Sequence, residues 1–295
     1  MAHSDASTFP GGAARLAGRT AWVFAGDDAA RSLGRAMAWA RQHDVDELHL
    51  VVESDAPALA ARAAQFAVPP TVWELRSTEL HAPVAAPPGP PPSPPDQPAL
   101  AALLVDAGLD VVAEHDHLSG ERRGLEVARV TDDGRLEVGV GEADRELTAM
   151  VHGELPPEDA LRRVVAIVDE KRRPGAPRHP LNQLVPERWL RWTVRQDPSR
   201  VGLETLRPSP APRPRRGMRD RDIAVAVADG VVAVCSVGID LDLVPAAAEA
   251  RAVLDPGARL LLVVPERDDH PVTRALASAL ARPAEIATVS GDWRS

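Results

Sequence analysis

Nine of the 17 residues from Ala82 to Pro98 are proline, a density that no helix or sheet interior accepts, because proline fixes φ and lacks a backbone donor. The stretch is expected to run as an extended spacer. A second connector, Arg207 to Asp222 (RPSPAPRPRRGMRDRD), sets six arginines against two aspartates. With linkers over 82–98 and 201–222, the 295-residue chain divides into a tail over 1–18 and three folding blocks, 19–81, 99–200 and 223–295.

The outer blocks alternate strand and helix signals. TAWVF (Thr20 to Phe24), LHLVVE (Leu48 to Glu53) and TVWEL (Thr71 to Leu75) are short apolar runs of the buried-strand type. Between the first two, Leu33, Ala36, Met37 and Ala40 place one apolar stripe on a helix. The last block repeats the layout: VVAVCSV, a helix beginning near Pro245, RLLLVVP, a helix from Pro271, and EIATV. At a constant offset of 212 residues Gly26 falls on Gly238, Asp28 on Asp240, and Leu48 to Val52 on Leu260 to Val264. Such self-similarity indicates a duplicated βαβαβ unit. The expected fold class is α/β, with two Rossmann-like halves joined side by side in one mostly parallel sheet that buries the edges each three-stranded half would expose.

The middle block reads as α+β. A helix over Ala99 to Ala107 precedes three strand-like runs, DVVAEH, LEVARV and RLEVGV, and a helix started by Pro157 follows them. A further helix near Pro186 carries Trp189 and Trp192, for core packing or for base stacking. The segment GLEVARVTDDGRLEVGVG (Gly124 to Gly141) resembles the paired strands of the restriction-endonuclease-like superfamily. In that family's metal-dependent nucleases an acidic residue on one strand faces a Glu-x-Lys on the next. The resemblance implies Glu126 near the acidic position and Glu137 as the motif's glutamate, with a divalent cation as cofactor. Ala128 and Gly139 stand where a further ligand and the lysine belong, so it implies a member without catalysis. The alternative is a plain hairpin whose Glu126 and Glu137 face solvent.

A net charge of −9 opposes general affinity for polyanions and leaves nucleic-acid contact to local basic patches. Arg213, Arg215, Arg216 and Arg219 of the second connector are the candidates, against a role in keeping a linker soluble. No apolar run approaches the roughly 20 residues of a bilayer span, and a cytoplasmic protein without membrane contact is expected. The one cysteine, Cys235, lies in an apolar run and is expected to be buried and inert.

Acids at the expected strand ends form the last group: Asp28, Asp240, Asp242, Glu266 and Asp268. At the carboxyl edge of a doubly wound sheet they would line one crevice for a divalent cation or a small cationic ligand. The competing reading gives Asp242 the job of capping the helix near Pro245. No glycine-rich phosphate loop accompanies them. Three functions stay open: a nucleic-acid-associated protein with a nuclease-like, inactive middle block; a metal- or ligand-binding α/β module; and an interaction scaffold without chemistry.

Overall fold

The computed structural model describes residues 4–92, 94, 96–141, 144–145, 156–173, 175–177 and 179–294. It is an α/β protein with three sheets. The chain begins with β1 (Ser4–Phe9), β2 (Gly12–Ala17), β3 (Thr20–Ala25), α1 (Ser32–Gln42), β4 (Glu47–Val52), α2 (Ala56–Ala63), β5 (Thr71–Arg76) and β6 (Glu79–His81). It continues with α3 (Pro98–Asp106), β7 (Asp110–Glu114), β8 (His117–Arg122), β9 (Leu125–Val130), β10 (Leu136–Val138), α4 (Pro157–Lys171) and α5 (Pro186–Gln196). It closes with β11 (Arg207–Ser209), β12 (Ala224–Ala228), β13 (Val231–Cys235), α6 (Leu243–Leu254), β14 (Arg259–Pro265), α7 (Pro271–Ala279) and β15 (Glu285–Val289).

Two compact units emerge, residues 1–89, 239–262 and 268–286 in one, residues 90–238, 263–267 and 287–295 in the other. In the first, β3, β4 and β5 pair in parallel, flanked by the antiparallel strands β2 and β6. The buried face of this sheet carries Ala21, Val23, Leu50, Val52 and Val72. Helices α6 and α7 pack on α1, and α6 also on α2. Gly34 makes the close approach possible: a Cβ there would lie 1.7 Å from the Leu241 carbonyl oxygen.

The expected union of both ends in one sheet is not what forms. The N-terminal strands occupy a six-stranded sheet, β1 to β6 in order, and the C-terminal strands a separate five-stranded one, β11 to β15 in order. The reason lies in the edges. Residues 4–17, expected as a tail, fold into a hairpin that covers β3, and β6 covers β5. On the other sheet β12, joined to β13 by the Asp229-Gly230 turn, covers β13. With β3, β5 and β13 already paired on their outer sides, β15 alone of the six strands expected to share a sheet stands at a sheet edge, and it finds no open counterpart.

In the second unit β7 to β10 form an antiparallel meander. Its core joins Leu104, Leu125, Val127, Val130, Leu161 and Val168, fully or almost fully buried. The second connector is not a free spacer. It contributes β11, and Met218 accepts a hydrogen bond from the Val185 amide at 3.0 Å. Gly124, at φ 73°, lets α5 close onto the β8–β9 turn, since a Cβ there would stand 2.3 Å from the backbone of Arg188. Cys235 is buried as expected, and burial pushes its thiol up to about 12.

Candidate anion-binding cavity

Strand β8 was not read from the sequence, yet it supplies the centre of the site. His115 and Asp116 are the two turn residues between β7 and β8, and His117 begins β8. Along β8, His117 and Ser119 stand on one face by strand periodicity. Opposite them a bulge in β9 pairs Glu126 with Glu121 and Ala128 with Gly120. Such a bulge re-aims a side chain, and Glu126 comes to lie beside Arg129, three residues on.

Glu126 is nearly enclosed. Its carboxylate accepts from His117 Nε2 at 3.3 Å, Ser119 Oγ at 3.2 Å, Arg129 at 3.2 and 3.3 Å, and Arg145 at 3.1 Å. Burial alone would raise its pKa. The His117 hydrogen bond and the charges of Arg129, His117 and Arg188 outweigh it and bring the carboxyl down to about 2. Burial works against a charged His117 too, but hydrogen bonds to Glu126 and Asp116 raise its pKa above the ordinary value. Glu137 is 41% exposed on its side chain and lies 3.5 Å from Arg145. The two glutamates of the nuclease-like pattern thus meet at one arginine.

Behind this cluster α5 presents Arg188 and Arg191. Arg188 bridges Glu114 at 2.9 Å and Glu121 at 3.0 Å, and Arg191 holds Glu121 at 2.7 Å. Burial raises the carboxyl of Glu121, but the two arginines hold it below its usual value. In front, a cavity of about 380 Å³ opens. Five arginines (129, 145, 188, 215 and 216) and two histidines line it against three carboxylates, Glu114, Asp116 and Glu126. Arg215 is itself fastened, donating to the Gly217 and Asp220 carbonyls at 2.9 and 2.8 Å and pairing with Glu187 of α5. The connector is therefore one wall of the cavity.

Of the expected nucleic-acid arginines, Arg215 and Arg216 reach this cavity, Arg213 lines a small neighbouring recess, and Arg219 is exposed and lines neither. Trp189 is core, 2% exposed, and the Arg172 guanidinium lies 4.8 Å from its ring centre. Arg172, at a helix end, is fully buried and donates to carbonyls of Arg123, Leu181 and Leu184. Desolvation brings its pKa down to about 9.

The strand-end acids are used differently from the expectation. Asp28 is exposed in a left-handed conformation. Asp240 pairs with Arg31 at 2.5 Å and accepts the Asp242 amide at 3.0 Å. Asp242 makes no capping bond at α6. The Asp242 carboxylate instead turns into the helix interface, 3.3 Å from Arg62 and 3.5 Å from Arg31. Arg62 also holds Glu249 at 2.8 Å. Burial and the nearby Asp240 and Glu249 charges push Asp242 up to about 7, against the pull of Arg62 and Arg31. Glu266 lines another cavity of about 600 Å³ after β14 and β15, with Arg267, Asp292, Trp293 and Arg294, while Asp268 closes the short helical turn that follows β14. Among the described residues no group of three or more His, Cys, Asp or Glu side chains is placed to hold a metal ion.

Arg129 and Arg145 were not singled out from the sequence. The alternating polar positions of HLSGER were the available signal for β8. No described helix is long and apolar enough to cross a membrane. No family model, curated protein or solved structure matches the chain.

Proposed function

We propose that this is a nucleic-acid-associated protein whose middle block binds phosphate through the arginine-lined cavity and carries out no metal-dependent hydrolysis. One observation carries the reading: Arg129 and Arg145 converge with Arg188 of α5 and with Arg215 and Arg216 of the connector on a single cavity. Guanidinium groups are the preferred partners of phosphate oxygens. The overall charge of −9 confines attraction to this locus.

The kinship with restriction-endonuclease-like proteins belongs to the same proposal. An inactive member fits Glu126 and Glu137 held by arginine rather than free for a cation, and Gly139 at the lysine position. Duplication of the outer blocks is part of it too. The elements β2, β3, α1, β4, α2 and β5 begin 211 to 215 residues before β12, β13, α6, β14, α7 and β15. An antiparallel bridge joins Phe66 to Leu280 just after α2 and α7. Its flanking amides reciprocate, Ala67 to Ala279 and Ala281 to Gln65, as a local twofold would require.

Mobility-shift titrations with 5′-phosphorylated single-stranded DNA and RNA test the function. Binding at low salt that weakens steeply as salt rises, and is lost in Arg145→Ala, supports it. Absence of binding at the lowest salt removes it.

The cavity beside Glu266 favours a second reading, a small-ligand α/β module. Its mixed Glu266, Asp292, Arg267 and Arg294 lining suits a zwitterion such as an amino acid. Thermal stabilisation by free amino acids that disappears in Glu266→Gln would favour this reading over the first.

A further inference from the structure

Resting on the phosphate reading above, we infer that the cavity is a site for phosphate monoesters, and that Glu126 is its resident anion, a built-in competitor that the ligand displaces. The carboxylate sits where an oxyanion belongs. Four side chains from β8, β9 and residue 145 converge on its two oxygens, and every contact lies between 3.1 and 3.3 Å. Charge-assisted bonds settle at about 2.7–2.9 Å. In the same unit Arg191 holds Glu121 at 2.7 and 2.8 Å. Glu126 is therefore held less closely than Glu121, by four donors that also face a cavity a larger acceptor can enter.

A phosphate monoester meets that description. It carries three terminal oxygens and about two negative charges, against two oxygens and one charge for Glu126. The ligand enters from the cavity that Glu126 already lines, takes over Arg129 and Arg145, and draws on Arg188 for its additional charge. A phosphodiester has one charge and two free oxygens, no more than the carboxylate it has to replace. Displacement thus selects a strand terminus or a mononucleotide over the interior of a chain. Glu126 is in this role a specificity residue, opposite in effect to the metal ligand that its place in the nuclease-like pattern suggests.

Titration calorimetry on the full chain tests this with adenosine 5′-monophosphate, cyclic 3′,5′-adenosine monophosphate and inorganic phosphate, followed by oligonucleotides with and without a 5′-phosphate. In the wild type the monoester is expected to bind at least about tenfold more tightly than the cyclic diester, and the 5′-phosphorylated oligonucleotide more tightly than its 5′-hydroxyl counterpart. Glu126→Gln keeps the side chain's shape and one acceptor, and is expected to tighten monoester binding by about tenfold. Equal affinity for monoester and diester overturns the inference, and so does weaker monoester binding in a Glu126→Gln protein whose melting curve remains cooperative. Both outcomes leave phosphate binding intact, whereas failure of every probe in the wild type overturns the phosphate reading itself. If Glu126→Gln does not fold, the wild-type comparison of monoester with diester decides alone.

Discussion

Two buried charge clusters in this protein are built with opposite balance. Between α1, α2 and α6, Arg31 and Arg62 face three acids, Asp240, Asp242 and Glu249. Around Glu126, one enclosed carboxylate faces His117, Arg129 and Arg145. Burial and two neighbouring acids outweigh the two arginines of the first cluster and leave Asp242 hard to ionise, with a pKa near 7, while the second holds Glu126 near 2. The lesson is that burial does not by itself indicate function. The acid-rich cluster closes a helix interface and borders none of the cavities described above, whereas the cation-rich one borders a cavity large enough for a ligand. The first closes a helix interface, and the second lines a cavity.

The comparison can be broken most forcefully at Arg62. Replacing it with alanine leaves Asp242 and Glu249 buried without their shared partner. Loss of one member of a buried pair costs about 3–5 kcal/mol, so chemical denaturation of Arg62→Ala is expected to show a loss of that size. A loss within experimental error would mean that this interface is not closed in solution.

Opposite pH responses come next in size. Asp242 has a folded pKa raised from 3.8 to about 7. Its contribution is therefore complete below pH 4 and is lost as pH rises through 7, on the order of 4 kcal/mol at full effect. Glu126 is depressed from 4.5 to about 2. Its contribution is complete above pH 4.5 and is lost as pH falls toward 2, on the order of 3 kcal/mol. Hydrogen exchange read separately on α1–α2 and on β8–β9 resolves the two slopes. Asp242→Asn should flatten the first alone, and Glu126→Gln the second alone. Parallel slopes in the two regions would dissolve the contrast.

The smallest expected effect sharpens the site's boundary. Glu137, partly exposed and 3.5 Å from Arg145, is expected to change stability by no more than about 0.5 kcal/mol when replaced by alanine. A large change in an unfolding titration would place it inside the cluster rather than at its rim.

The sequence revealed these two regions unequally. Strands β3, β4, β5, β13, β14 and β15 and their crossover helices were legible because hydrophobic periodicity is local. The separate sheets were not, because the deciding pieces were weak signals: the Pro10-Gly11 hairpin turn in what read as a tail, and the Asp229-Gly230 turn before β13. Glu126 and two connector arginines were legible as candidates. Their meeting was not, since it depends on a bulge, on Gly124 admitting α5, and on a connector fastened through Arg215 and Met218. Asp242 was misread because an acid before a helix signals a cap, and nothing local indicated that Arg62, 180 residues away, would claim it.

A crystal structure of the full chain grown or soaked with adenosine 5′-monophosphate tests the cavity most directly. The expected result is a phosphate group within hydrogen-bonding distance of Arg129 and Arg145, with Glu126 turned away from both. A cavity without ligand at a saturating nucleotide concentration, with Glu126 still holding its four donors, would contradict it.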